Sequence, residues 1–394
     1  MVTLATVEQA LKELYLGPII NELNTDTDPF ITRIKRTSER IVGNNGIIRD
    51  AQIGMNGGFG AGTETGELPA PGENIYKKLK STTKNLYGVI SVSHKALKAL
   101  DNDSRKGAFD NMVQRDIDTM MATAKYHFAR QISGSSTGVL TKTKTGSGNS
   151  FGVDDTRLLI EGIQIDILSS SGSPVAQKRR ILNINRKTNT VTISGAAVSV
   201  EAGMLVTVQG SYGLELTGLD DLFNVDGLTT LYGLTRADND WLNPHVETAS
   251  DPISDVLLTE IITRQEDAYN VNINYLRAGN DAYNAYAKYL ESRARIVNTT
   301  IYEGGYKGLK FGELPLIRSK FTEKDSIDFL DTEAFTIDQV SEWDWIPGPT
   351  NGIFVQLGNT PTFNATLAKY ADLMCDKPGG MARLKGVTAP ATGE

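Results

Sequence analysis

The sequence predicts an α+β fold with a small all-β module set into it. Three observations carry this. An apolar stripe at helical spacing runs through residues 103–134. Short strand patterns separated by turn chemistry fill residues 154–216. Helical periodicity returns at residue 250 and gives way to strands again. A period that switches and then returns marks one packing unit nested inside another.

Taken in order, residues 3–16 predict a short amphipathic helix, with Leu4, Val7, Leu11 and Leu14 on one side and Gly17-Pro18 as its stop. Residues 26–30 are turn-like. Residues 32–53 are strand-biased, with Gly-Asn-Asn-Gly at 43–46 as a turn signal. The run NGGFGAGTETGELPAPG follows at 56–72, and residues 77–94 read as one strand. Two strand-like arms around a glycine-rich tip make a long hairpin with too little apolar area to stand alone.

The strongest helix spans 103–134, with Asp103 or Ser104 as cap and Gly134 as stop. Phe109, Met112, Val113, Ile117, Met120, Met121, Ala124, Phe128 and Ile132 form its stripe. Residues 133–150 are small and polar and read as a linker. Strands are expected at 162–168, 179–185, 190–194 and 204–209, with 185–189 as a hairpin loop. Asp251 and Pro252 open a further helix whose buried face is Ile253, Val256, Leu257, Ile261 and Ala268. Val271, Ile273 and Tyr275 alternate as a strand, and Asn280 opens a helix carrying Tyr283, Tyr286, Ala287 and Leu290. Strands are expected near 309–317 and 326–330. Residues 352–387 read as strand, turn and strand.

Composition bounds the function. A chain of 394 residues makes two or three compact units, and 40% hydrophobic residues supply real cores. A net charge of −7 argues against a dedicated nucleic-acid binder. Cys375 is the single cysteine, so no intrachain disulfide or thiolate cluster forms. His94, His127 and His245 are far apart in sequence, and no apolar run reaches membrane-spanning length. Glu8, Lys12 and Glu13 interrupt the N-terminal apolar residues, so no signal peptide is expected.

Motifs that imitate chemistry fail on context. The glycines at 58, 60, 62 and 66 do not fit a dinucleotide fingerprint, and no Gly-Lys-Ser/Thr follows. Gly134-Ser-Ser-Thr-Gly138 matches a nucleophile elbow as a string, but a helix precedes it where a strand is needed, so Ser136 reads as part of a helix-ending turn. Asp220, Asp221, Asp238 and Asp240 lack the spacing of a calcium loop and read as solvated loop charges. Glu342-Trp-Asp-Trp345 reads as packing at a strand edge. Lys77, Lys78, Lys80 and Lys84 form the one basic run, a solvated strand face or a contact with acidic neighbours. No catalytic residue, cofactor-binding residue or metal ligand is assigned.

The order of elements resembles the tailed-bacteriophage major capsid protein, the Hong Kong phage 97-type capsid fold shared with encapsulins. Residues 1–53 look like its N-arm, 54–94 its extended loop, and 95–150 its long spine helix with part of the peripheral domain. Residues 151–235 look like an inserted small all-β domain and connector, 236–345 the axial domain, and 346–394 the rest of the peripheral domain. Two segments carry the likeness in detail: YKGLKFGELPLIRSKFTEKDSIDFLDTEAF at 306–335 and FNATLAKYADLMCDKPGGMARLKGV at 363–387.

The resemblance implies a non-enzymatic, self-assembling coat protein. Its expected partners are further copies, as hexamers and pentamers of an icosahedral shell, a separate scaffolding protein, a portal protein and a decoration protein. It encloses double-stranded DNA without sequence-specific binding, touches no membrane and needs no cofactor. Synthesis in host cytoplasm and residence in the virion head follow. Self-processing members carry a helical scaffolding segment before the arm. Only 27 residues precede Asp28, so that segment is expected to be absent or a separate protein. Phe59, Glu64, Glu67, Leu68, Lys77 and Lys78 are the implied contacts between subunits. Negative charge would limit adhesion of packaged DNA. The competing readings are an encapsulin-type nanocompartment shell and, remotely, a serine hydrolase built on Ser136.

Overall fold

The computed structural model describes residues 28–390 apart from 44–45, 55, 64–65, 68–69, 95–105, 294–299, 302–306, 349–353, 357 and 359. The predicted helix at 3–16 and the helix caps Asp103 and Ser104 lie outside the described residues. Three apolar cores organise the rest.

The first core lies under a six-stranded sheet built on Thr362–Cys375. Phe335–Gln339, Asp344–Trp345, Phe354–Gln356 and Lys84–Ser93 all pair antiparallel to it. Lys35–Thr37 joins in parallel beside Phe335–Gln339. The helix Lys106–Ser133, roughly 40 Å long, covers one face of this sheet. Its stripe buries Ile117, Met121, Phe128 and Ile132, with Met120 and Ala124 packed at the margin. Each fully buried side chain of this kind stabilises by about 1.5–3 kcal/mol. Gly134 ends the helix, its N–H donating to the Arg130 carbonyl at 2.8 Å.

The second core lies under a seven-stranded mixed sheet. Its order is His245–Thr248, Ala382–Lys385, Ile327–Leu330, Tyr275–Ala278, Leu314–Arg318, Lys307–Phe311 and Thr300–Ile301. Helices Asp255–Tyr269 and Asn280–Ser292 pack on it through Leu258, Ile261, Ile262, Tyr286 and Leu290. The chain runs from Thr362–Cys375 in the first sheet directly into Ala382–Lys385 in the second, so the C-terminal segment ties the two together.

The third core is the β module. Its six-stranded sheet runs Val139–Lys142, Leu205–Val208, Gln164–Leu168, Pro174–Asn185, Thr190–Ile193 and Ser150–Gly152. The predicted strands at 162–168, 179–185, 190–194 and 204–209 are all present, and 185–189 is the turn of an antiparallel hairpin.

The structure corrects several expectations. Residues 29–33 form a helical turn, Pro29–Arg33, because Asp28 caps it (Oδ1 accepts from Phe30 N at 3.1 Å) and Pro29 suits its first position. Residues 77–94 are two strands, Ile75–Thr82 and Lys84–Ser93; the chain leaves one sheet for another at buried Thr83. Residues 133–150 are no linker. Val139–Lys142 pairs with Leu205–Val208, and Gly146–Gly148 with Val198–Val200, so small residues take strand geometry from distant partners. The cap of the helix after residue 250 is Ser254, not Asp251; its Oγ accepts from Leu257 N at 3.2 Å. The buried face turns accordingly, leaving Val256 75% exposed. The strand after it begins at Tyr275, although Val271 and Ile273 are buried.

Asp220 and Asp221 are not free loop charges. Asp221 is buried and accepts from Ser135 Oγ and Ser136 N, both at 2.7 Å. Asp220 accepts from Arg383 at 2.7 Å, and burial raises its carboxyl pKa against that pairing.

Candidate assembly surfaces

The hairpin Gly46–Gly54 and Ile75–Thr82 is fixed at its base and unsupported at its tip. Ile47 and Leu79 are buried in the first core. Arg49 is buried and donates to both oxygens of buried Asp338, at 3.0 and 2.8 Å, and also to Asp376. Burial pushes the Asp338 carboxyl up, with Arg49 opposing. The Lys80 N–H donates to the Tyr232 carbonyl at 2.8 Å. Beyond Gly54 this support ends: none of the described residues between 56 and 74 is buried.

The glycines of the tip have a packing reason. The two limbs touch where Gly57 and Gly58 meet Gly72. A Cβ on Gly72 would stand 2.5 Å from the backbone nitrogens of Gly57 and Gly58. Only a bare backbone permits that approach. Asn56 Oδ1 accepts from Gly58 N at 2.8 Å and closes the turn.

Of the six expected contact residues, Phe59 is 97% exposed at the tip, and Glu67 and Lys78 are exposed. Lys78 sits opposite Asp50 in the hairpin register. Lys77 instead turns back on its own chain and donates to Asn239 Oδ1. Glu64 and Leu68 lie outside the described residues.

A second surface was missed from the sequence. The long helix covers one face of the first sheet, and the other face is open over much of its breadth. Register places Tyr87, Val89 and Val355 on that open face beside Ala368, Thr366 and Asn364. Val340 and Ile346 join through backbone bonds to Tyr370 and Thr366. Tyr87 and Val89 are each 56% exposed, and Val340, Ile346 and Val355 are also exposed. The Tyr87 and Tyr370 rings meet edge to face with centroids 6.2 Å apart. These side chains form an exposed apolar patch, a candidate interaction surface. Along Lys84–Ser93, Leu86, Ile90 and Val92 point to the core while Tyr87 and Val89 point away from it.

The open face closes near Asp372, where the hairpin base and a connecting loop lie over it. Asp372 accepts from Thr217 N at 2.8 Å, Thr217 Oγ1 at 3.2 Å and Ser81 Oγ. Burial pushes its carboxyl up to about 6, against those hydrogen bonds and Lys84. The folded state therefore binds this proton more tightly than the unfolded chain. The associated stability is present at low pH and is lost as pH rises through about 6. Relative to Asp372→Asn, the natural chain should gain about 1 kcal/mol on going from about pH 7 to about pH 5. Parallel denaturation curves of the two proteins at the two pH values measure this.

Ser136 has no elbow around it: a helix precedes it, and its N–H is held by Asp221. His127, the histidine of the same helix, accepts a long hydrogen bond from Arg130 at 3.4 Å, and burial with that cation pushes it down to about 4. Trp343 and Trp345 are buried, as strand-edge packing requires. Among the described residues, no group of three histidine, cysteine or acidic side chains is placed to hold a metal.

No protein-family profile matches the chain, and no curated protein does. Solved structures do. A chain of the cyanophage A-1(L) capsid asymmetric unit is 10% identical, covers 94% of this chain with 92% of its own, and superposes with a TM-score of 0.56. A chain of the satellite phage P4 procapsid is 11% identical, over 96% and 91%, at 0.46. The SrpI encapsulin of Synechococcus elongatus PCC 7942 is 9% identical, over 93% and 90%, at 0.46. The superposition on the cyanophage chain, which spans nearly the full length of both chains, shows that this chain has the Hong Kong phage 97-type capsid fold.

Proposed function

We propose that this chain is the major capsid protein of a tailed bacteriophage, building the icosahedral head around double-stranded DNA. The observation that supports it most is the pairing of two incomplete surfaces on one capsid fold. The hairpin tip has no core of its own, and the apolar sheet face has no cover of its own. Each finds its complement on another copy: the tip of one subunit lies on the open face of the next. Ordering the tip costs entropy, which burial of Phe59, Tyr87 and Val89 offsets. Weak contacts repeated across a closed shell give strong cohesion.

A separate scaffolding protein and a portal protein complete the head on this reading, with a decoration protein as a further partner, and Ser136 has no catalytic task. The β module faces outward, where an added unit has room. Its seat is firmer than a tether, since Lys324 lies 3.5 Å from Asp155 and Tyr126 Oη donates to the Leu158 carbonyl at 3.1 Å.

The double variant Tyr87→Ser/Val89→Ser tests the open face. Both side chains are exposed in the subunit, so unfolding should shift by no more than about 0.5 kcal/mol. Shell yield, read by sedimentation, should fall by about tenfold or more, the effect of a loss near 1.4 kcal/mol per contact. Normal shell yield would remove the open face from the interface.

A further inference from the structure

A groove of about 550 Å³ opens between the long helix, the start of Lys84–Ser93 and the module segment 208–215. Its size falls among small-molecule sites, roughly 300–1,000 Å³. One face of the helix forms a wall: Met120, Thr123, Ala124, His127 and Gln131 line it at helical spacing. From Met120 to Gln131 that face rises about 16 Å. The groove is therefore elongated, and three separate units of the fold contribute to it.

Its two ends differ in chemistry. At the Met120 end Gly88 leaves the strand bare, since a Cβ there would stand 3.1 Å from Met120 Sδ. Leu86 and the 64% exposed Leu214 add apolar lining. At the other end Arg130 donates to both oxygens of Glu215, at 2.8 and 2.5 Å, so that carboxylate is already held. Arg130 Nε also donates to His127 Nδ1, which leaves the neutral ring's proton on Nε2 as a donor. Lys84 brings a cation to this end. Its charge acts on Asp372, which Thr217 holds two residues beyond Glu215. Trp343, 1% exposed, also lines the groove, and its indole N–H has no partner among the described residues. Donors and a cation thus gather at one end and apolar side chains at the other.

We propose that this groove binds a linear carboxylate amphiphile, with its head at the Lys84–His127 end and its tail toward Met120. A tail of about ten carbons matches the length of the helix face. The carboxylate supplies the acceptor for the N–H groups of His127 and Trp343 and a counter-charge for Lys84. The tail leaves water against Leu86, Met120 and Leu214, which drives binding. A bound ligand touches the helix, the first sheet and the β module at once, so it clamps the module onto the body of the subunit. The inference rests on the groove alone and stands or falls independently of shell assembly.

Isothermal titration of the full-length chain with decanoate, at concentrations where it forms no micelles, tests it. Decanoate should saturate one site per chain. Octanoate should bind about tenfold more weakly, the effect of two fewer buried methylenes. Decanol, which has the tail without the charged head, should also bind about tenfold more weakly or worse. Thr123→Phe should abolish binding by filling the groove, and Lys84→Gln should weaken it by about tenfold. Thr123 is exposed, so its variant keeps the core intact and serves as the folded control. No saturable binding by the natural chain overturns the proposal, as does equal affinity for decanol or undiminished binding by Thr123→Phe. Loss of shell yield in Thr123→Phe, with no decanoate binding by the natural chain, would assign the groove to a second copy instead.

Discussion

Removing residues 57–71 is expected to leave a folded subunit that fails to close into shells. The described part of the tip buries nothing, whereas Ile47, Leu79 and the Arg49–Asp338 pair below it hold the hairpin base in the first core. The deletion thus takes no described residue from any core, and thermal unfolding of the subunit should move by only a few degrees. Assembly should fail almost completely, because the lost contact recurs at every subunit and its effect multiplies around the shell. Circular dichroism and sedimentation, run on the same preparation, separate the two effects. Shells of normal yield would reduce the tip to a connecting loop.

The largest effect on the subunit itself is expected from Arg277→Ala. Arg277 is fully buried on the central strand Tyr275–Ala278. Its Nη2 donates to Asp28 Oδ2 at 2.9 Å and to Ser319 Oγ at 3.0 Å, and also contacts Ser133 Oγ. Its Nη1 lies 3.8 Å from Asp328, which Arg383 also grips, and Arg383 reaches on to Asp220. One alternating chain of charges thus joins the arm, the end of the long helix, the second sheet and the connector. Removing the guanidinium leaves Asp28 buried without its cation, at a cost of about 3–5 kcal/mol. Denaturant unfolding should show that loss, and Arg277→Lys should restore only part of it, since an ammonium cannot reproduce the planar fork. A loss below about 1 kcal/mol, the scale of an exposed pair, would mean the charge chain does not hold the elements together.

What was legible in the sequence follows from where the signal lies. Ile117, Met121, Phe128 and Ile132 announce the long helix because its burial repeats at its own period. The module strands Gln164–Leu168, Pro174–Asn185, Thr190–Ile193 and Leu205–Val208 are legible because turn residues bracket them. Strands Val139–Lys142 and Gly146–Gly148 are not, since they are three or four residues long within a run rich in glycine, serine and threonine, and their pairing is set by Leu205–Val208 and Val198–Val200 far along the chain. Thr83 gives no warning that one apolar run serves two sheets. The open face depends on register between distant strands, which spacing along one chain does not encode.

Electron microscopy of the purified chain, produced alone and together with a scaffolding protein, tests the central claim most directly. Closed icosahedral shells of uniform diameter are the predicted result, with the β module projecting from the outer surface. Monomers or open fibres under both conditions would contradict it.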